Sequence, residues 1–203
     1  MKKLFLALAL IGAAIAAPNA VAQVVVLTPE VADTLALMRE EEKLSHDVYA
    51  VFDVLYEEET PGGKIFGRIA EAEARHAEAV GKLLLKYGLP DPAYPEPGQF
   101  LNQDLQELYD TLVGVGSAGL TEALGVGVFI EQKDMTDLVE AIEISAAYAD
   151  IVKVYASLLA GSERHLSSFL KVLDAAEVEA DLELDAAQVA AGQGGRGYGG
   201  RGR

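Results

Sequence analysis

The chain contains no cysteine. That excludes disulfides, iron–sulfur clusters, thiol peroxidase chemistry and a rubredoxin-type iron site. Histidine is scarce, with three in 203 residues, so any imidazole at a site is His46, His76 or His165. No β alternation, internal repeat or glycine-rich phosphate loop is present. Basic residues are also few, 16 against 32 acidic ones. A surface so acidic repels nucleic acid phosphates and attracts cations, so nucleic acid is not expected as a partner. A long apolar run is absent but for residues 4–17, which are too short to span a membrane comfortably and lead into no stop-transfer pattern.

That run reads as part of a secretory leader. Lys2 and Lys3 precede it, and Ala20-Val21-Ala22 before Gln23 fits small-x-small cleavage. Residues 1–22 are therefore expected to be removed after Ala22, leaving a periplasmic or secreted protein with no membrane span. Setting aside the two leader lysines leaves 14 basic residues against 32 acidic ones, a net charge of −18. An exported protein without disulfides is held by its core, or by its core and a metal. Residues 177–203 end in GQGGRGYGGRGR, a flexible tail expected to touch anionic envelope surfaces. One domain is expected between these ends, at 23–176.

Thr28, Pro29 and Glu30 form a helix start: N-cap, proline at the first position, acid in the first turn. The first helix is expected to reach about Glu58, before Thr60-Pro61-Gly62-Gly63. The second spans about Lys64 to Tyr87 and stops at Gly88. A connection with Pro90, Pro92, Pro95 and Pro97 follows, then a short helix from Asn102 to Val113, broken by Gly114, Gly116 and Ser117. A third long helix reaches about Ser145, and a fourth runs from Tyr148 to Ala175. Two antiparallel hairpins joined by a long crossover give an all-α four-helix bundle of the ferritin-like variety.

Apolar positions recur at alternating four- and three-residue steps on each long helix, and polar groups interrupt every seam near its middle. The interruptions are Glu42 and Ser45, then Glu73 and His76, then Glu131 and Asp134, then Ser162 and His165. A buried charge without a partner costs several kcal/mol, so four seams broken at one depth imply a shared partner. The midpoint of Glu42 and Glu73 falls near Tyr56–Glu58, and that of Glu131 and His165 at Tyr148, both at hairpin turns. The candidate ligands Glu42, Glu73, His76, Glu131, Asp134 and His165 therefore meet in one layer. Glu73-Ala74-Arg75-His76 is a Glu-x-x-His element that places carboxylate and imidazole on one face. Four carboxylates and two imidazoles make up a carboxylate-bridged di-metal inventory, better suited to iron or manganese than to structural zinc. His46, Tyr49 and Ser162 are expected to support the ligands from behind. Tyr49 and Tyr155 are expected in the core with bonded hydroxyls. In the Glu40-Glu41-Glu42 run, only Glu42 falls on the seam, and the other two are expected on a solvated face.

These motifs carry a resemblance. The bundle resembles the ferritin-like superfamily, and EKLSHDVY from Glu42 to Tyr49 stands where rubrerythrins carry ESQARNRY. REEEKLSHDVY, IAEAEARHAEAV and GSERHLSSFLKVL are most similar to a bacterial ferritin-like family, domain of unknown function 2202, over roughly residues 30–175. The resemblance implies Glu42 as first-helix ligand, Glu73 and His76 as second-helix pair, Glu131 as third-helix ligand and His165 as fourth-helix histidine. One departure stands out: Ser162 occupies the place of a fourth-helix glutamate. Glu163 is turned about 100° off the seam, while Asp134 is placed to restore the missing carboxylate.

The function expected is non-haem di-metal redox chemistry, with two Fe or Mn ions per chain. It would oxidise Fe(II), or reduce O₂ or peroxide, with metal ions and the oxidant as partners and a homo-oligomer allowed. Two other readings stand beside it. One is metal binding or sequestration without turnover, at a closed or mononuclear site. The other is a metal-free envelope module in which the polar layer only fixes bundle register.

Overall fold

A computed structural model describes residues 26–58 and 62–175. The expected leader, the cleavage point, the Thr60-Pro61 part of the first turn and the glycine-arginine tail lie outside the described residues. Five helices appear: α1 (Pro29–Tyr56), α2 (Ile65–Tyr87), α3 (Gln103–Gly116), α4 (Leu120–Ile144) and α5 (Ala149–Ala175). There is no strand among the described residues. No helix among them is long and apolar enough to cross a membrane.

Local chemistry sets most boundaries. Thr28 caps α1, its hydroxyl accepting from the Val31 N–H at 3.3 Å, with Pro29 at the first helical position. Gly88 closes α2 at φ 69°, a left-handed conformation that glycine adopts without a Cβ clash. The Leu89 N–H then bonds the Leu84 carbonyl at 2.9 Å. Asn102 caps α3, its side chain accepting from the Asp104 and Leu105 N–H groups. The α3 helix runs three residues beyond the expected Val113, through Gly114 to Gly116. Gly116 acts as a close-packing point, not as a breaker. A Cβ there would stand 2.1 Å from Phe52 Cζ, and its carbonyl accepts from the Tyr56 hydroxyl at 2.6 Å.

The helices α1 and α2 form one antiparallel hairpin, and α4 and α5 the other; α1 packs on α4 and α2 on α5. Pairings such as Glu41 with Lys133 and Tyr49 with Glu131 make α1 antiparallel to α4. The short α3 covers the seam between α1 and α4. All four seams point inward, and their polar layer divides the apolar core into two. On one side lies an aromatic cluster that includes Tyr49, Phe52, Tyr56, Phe66 and Phe169. On the other lies an aliphatic cluster including Leu35, Met38, Leu84, Leu138 and Ile151.

The expectation of a solvated face at Glu40 and Glu41 is overturned, because both are buried. For Glu41 the reason is α4, whose Lys133 pairs with it; for Glu40 it is the crossover, which lies across that face of α1. Glu40 accepts from the Leu101 N–H at 2.6 Å and from the Asn102 N–H at the start of α3, where a helix N-terminus favours an anion. Lys43 donates to the Glu96 carbonyl at 3.0 Å and pairs with Asp47, which in turn accepts from the Gly98 N–H at 2.8 Å. The crossover forms no helix or strand of its own between Gly88 and Asn102, and charged side chains of α1 pair with its N–H and C=O groups.

Candidate metal centre

Five of the six ligand candidates converge in two overlapping triads. Glu42, Glu73 and His76 form one, and Glu73, Glu131 and His165 the other; within each, one ligand atom per residue lies within 4.8 Å of the others. Glu73 belongs to both. Its Oε2 is 2.8 Å from His76 Nδ1, and its Oε1 is 2.7 Å from His165 Nδ1. Glu42 Oε2 stands 3.3 Å from His76 Nδ1, and Glu131 Oε2 3.6 Å from His165 Nδ1. The two imidazoles stack with centroids 5.6 Å apart. One glutamate is thus flanked by two imidazoles, each with a further carboxylate on its outer side.

Spacing explains the convergence. Glu73 and His76 are three residues apart on α2 and so share a face. Glu42 faces them across the first hairpin, and Glu131 faces His165 across the second. Glu42, Glu73 and Glu131 are almost wholly buried, while the two imidazoles keep a little exposure, 15% for His76 and 13% for His165.

Asp134 stands apart from both triads. Its Oδ2 accepts from the Ser162 hydroxyl, which also donates to the Leu158 carbonyl at 3.1 Å. Ser162 therefore holds the acid that was expected to replace its own missing carboxylate. Tyr49 donates to Glu131 Oε1 at 2.7 Å and fixes that carboxylate from the aromatic side. His46 turns elsewhere: its Nδ1 pairs with Asp47 Oδ1 at 2.8 Å, beside the crossover. Tyr155 is buried as expected, but its hydroxyl has no hydrogen-bond partner. Glu163 is exposed, as its rotation off the seam requires.

The electrostatics are those of a site short of positive charge. Burial, with the charges of Asp134 and Glu73, pushes the Glu42 carboxyl well above the ordinary carboxylate range. Burial likewise raises Asp134, although its bond from Ser162 opposes the rise. Burial lifts Glu131 to about 7 against the pull of His165, with the Glu73 charge adding to the rise. Burial alone would raise Glu73, but the two imidazoles against it bring it down to about 2. Burial alone would lower His165, but the facing Glu131 and Glu73 carboxylates raise it to about 9. Packed carboxylates in a dry core must take up protons or a cation.

Three polar atoms here are buried without a hydrogen-bond partner: Glu42 Oε1, Glu73 Oε1 and His165 Nδ1. The last two lie 2.7 Å apart, yet they are not aligned as donor and acceptor. Buried polar groups are normally bonded, and atoms that converge without bonding one another fit a common ion between them. The donor set, oxygen-rich with one imidazole per triad, could hold a metal ion.

One residue that shapes the site has no signal in the seam pattern. Gly161 lies against His76, where a Cβ would stand 2.5 Å from Cε1 and 2.7 Å from Nε2. Any larger residue would push the imidazole away. Its only sequence mark is a glycine inside a helix, next to Ser162.

Residues 31–183 match the model of an uncharacterized protein domain, DUF2202. The uncharacterized protein MJ0754 of Methanocaldococcus jannaschii is 40% identical over 149 residues, covering 73% of this chain and 77% of that protein. The crystal structure of hypothetical protein MJ0754 from Methanococcus jannaschii DSM 2661 is similar with a TM-score of 0.68. That match has 35% identity and covers 81% of this chain and 94% of the other. The chain belongs to the DUF2202 family.

Proposed function

We propose that this DUF2202 member is an exported, ferritin-like metalloprotein that holds two iron or manganese ions and handles a small oxidant. It would oxidise Fe(II), or reduce O₂ or peroxide. The observation that carries the reading is Glu73, whose two oxygens face imidazoles from different hairpins, each accompanied by its own glutamate. Two hairpins with a crossover, and a Glu-x-x-His pair facing further glutamates, support the ferritin-like assignment.

A pair of such ions, when bound, supplies the electron transfer that no side chain here performs. The protein's part is to hold and tune. Glu73 would bridge, His76 and His165 would anchor one ion each, and Glu42 and Glu131 would complete the outer sides. The Tyr49 hydroxyl orients Glu131 through Oε1. In the metal-free site burial lifts Glu131 to about 7, so a bound ion would displace its proton. The apolar clusters above and below exclude water from the layer.

The test is metal content by inductively coupled plasma mass spectrometry on untagged protein, beside a Glu73→Ala/His76→Ala variant. About two Fe or Mn per chain, lost in the variant, is the expected result by analogy with paired carboxylate–histidine sites. No metal after anaerobic Fe(II) and Mn(II) reconstitution would overturn the proposal and leave a buried polar network.

A second reading, binding without turnover, draws support from one contact. Asp134 accepts from Ser162 and belongs to neither triad, which favours a site with fewer carboxylate ligands. Rapid O₂ uptake on Fe(II) addition favours the redox reading; uptake of metal without O₂ consumption favours sequestration.

A further inference from the structure

The face between α1 and α4 carries a groove of about 640 Å³ under the first turns of α3, lined in part by Asn102, Asp104, Leu108 and Asp137. Beneath it lies a neck of about 20 Å³, walled by Ser45 and Ile130 among others and reaching Asp134. That is room for about one water. Glu41 and Lys133 line both spaces, so they stand where the groove narrows. The Lys133 ammonium pairs there with Glu41 Oε1 and with Asp137 Oδ2 at 2.5 Å. The other Glu41 oxygen, Oε2, is buried and has no hydrogen-bond partner.

We propose that this is the route by which a divalent cation enters, with Lys133 as its gate and Asp134 as its last carboxylate before the triads. The inference rests on the metal-binding reading above. Three carboxylates, Glu41, Asp104 and Asp137, face one ammonium in the groove, an imbalance that concentrates cations at the mouth. Lys133 is a counter-cation on a flexible stem. When it swings off Glu41 it keeps Asp137, so an arriving ion takes over one ion pair, not both. The neck is too narrow for a hydrated ion, so waters must be shed there. Glu41 Oε2, the Ser45 hydroxyl and Asp134 offer oxygens in their place. Such a neck disfavours Mg²⁺, which gives up its water reluctantly. Asp134 is one helical turn from Glu131, held by Ser162 and outside both triads. The departure at position 162 thereby acquires a role: it parks a carboxylate on the path.

The experiment is stopped-flow loading of the metal-free protein with Co²⁺, followed by its ligand-field absorbance, with the final cobalt count measured separately. Lys133→Met removes the gate, and Leu108→Trp fills the mouth from a half-buried position on α3. Lys133→Met should load about tenfold faster and Leu108→Trp about tenfold slower, a steering-scale effect, with the cobalt count unchanged in both. Equal loading rates for parent and both variants would overturn the route while leaving the metal site standing. No Co²⁺ uptake by the parent would overturn both. If Lys133→Met fails to fold, judged by far-ultraviolet circular dichroism, the Leu108→Trp rate decides alone.

Discussion

Replacing Gly161 with alanine should separate the stability of the bundle from its capacity for metal, because only the second should change. In the helix, Gly→Ala contributes about 0.8–1.0 kcal/mol of stability through backbone entropy. The new Cβ would stand 2.5 Å from His76 Cε1, so one of the two must move. The imidazole is the far end of a side chain and 15% exposed, and it can rotate outward. It then gives up its 2.8 Å bond to Glu73, a loss of about 0.5–1.5 kcal/mol. The two terms nearly cancel, and the metal-free variant should melt within about 1 kcal/mol of the parent. The site has no such compensation. The triad of Glu42, Glu73 and His76 loses its only imidazole, while that of Glu73, Glu131 and His165 keeps all its members. Mispositioning a ligand weakens metal affinity by about 10- to 100-fold, so at limiting metal the count should fall from two ions per chain towards one. Equilibrium dialysis with Co²⁺, read beside thermal melts of metal-free protein, checks both halves. Two ions bound with parental affinity would refute the argument that the space at Gly161 sets the place of His76.

Two further outcomes follow from the same geometry. Metal that binds only the native state at 1,000 times its Kd should add about 4 kcal/mol of stability, a rise in Tm of roughly 8–16 °C for a chain of this size; an unchanged Tm after chelation would contradict it. Asp47→Asn should destabilise the protein at neutral pH by about 1–3 kcal/mol, since Lys43 and the Gly98 N–H lose their charged acceptor. Burial alone would raise the Asp47 carboxyl, but bonds from His46, Lys43 and Gly98 hold it below its ordinary value of 3.8. Its contribution is therefore complete above that value and lost as pH falls through the lower native one. Urea titrations should show the gap between parent and variant closing over that acid window, and a gap independent of pH would refute the assignment.

Much of the architecture could be read along the chain because helix periodicity is local. Every three- and four-residue step that selected Leu35, Glu42, Tyr49, Glu73, Glu131 and Phe169 depends only on 3.6 residues per turn. Caps and turns such as Thr28-Pro29 and Gly88 are equally local, so the helices end within a few residues of where their own chemistry stops them. The hairpins then put the polar interruptions at one height, which is why the convergence of five of the six candidate residues was legible before any coordinate. The partners of each polar group were not, since a partner is chosen across space. The burial of Glu40 depends on crossover N–H groups 61 and 62 residues on, and that of Glu41 on a lysine 92 residues on. Asp134 turns to Ser162, 28 residues on, and Gly161 takes its meaning from an imidazole on another helix. The sequence by itself determined which faces turn inward and which helices carry polar groups into the shared layer. Only the tertiary structure decided which oxygen each donor takes, which acid stands outside the triads, and where a missing Cβ makes room, because these depend on distances between helices that no periodicity contains.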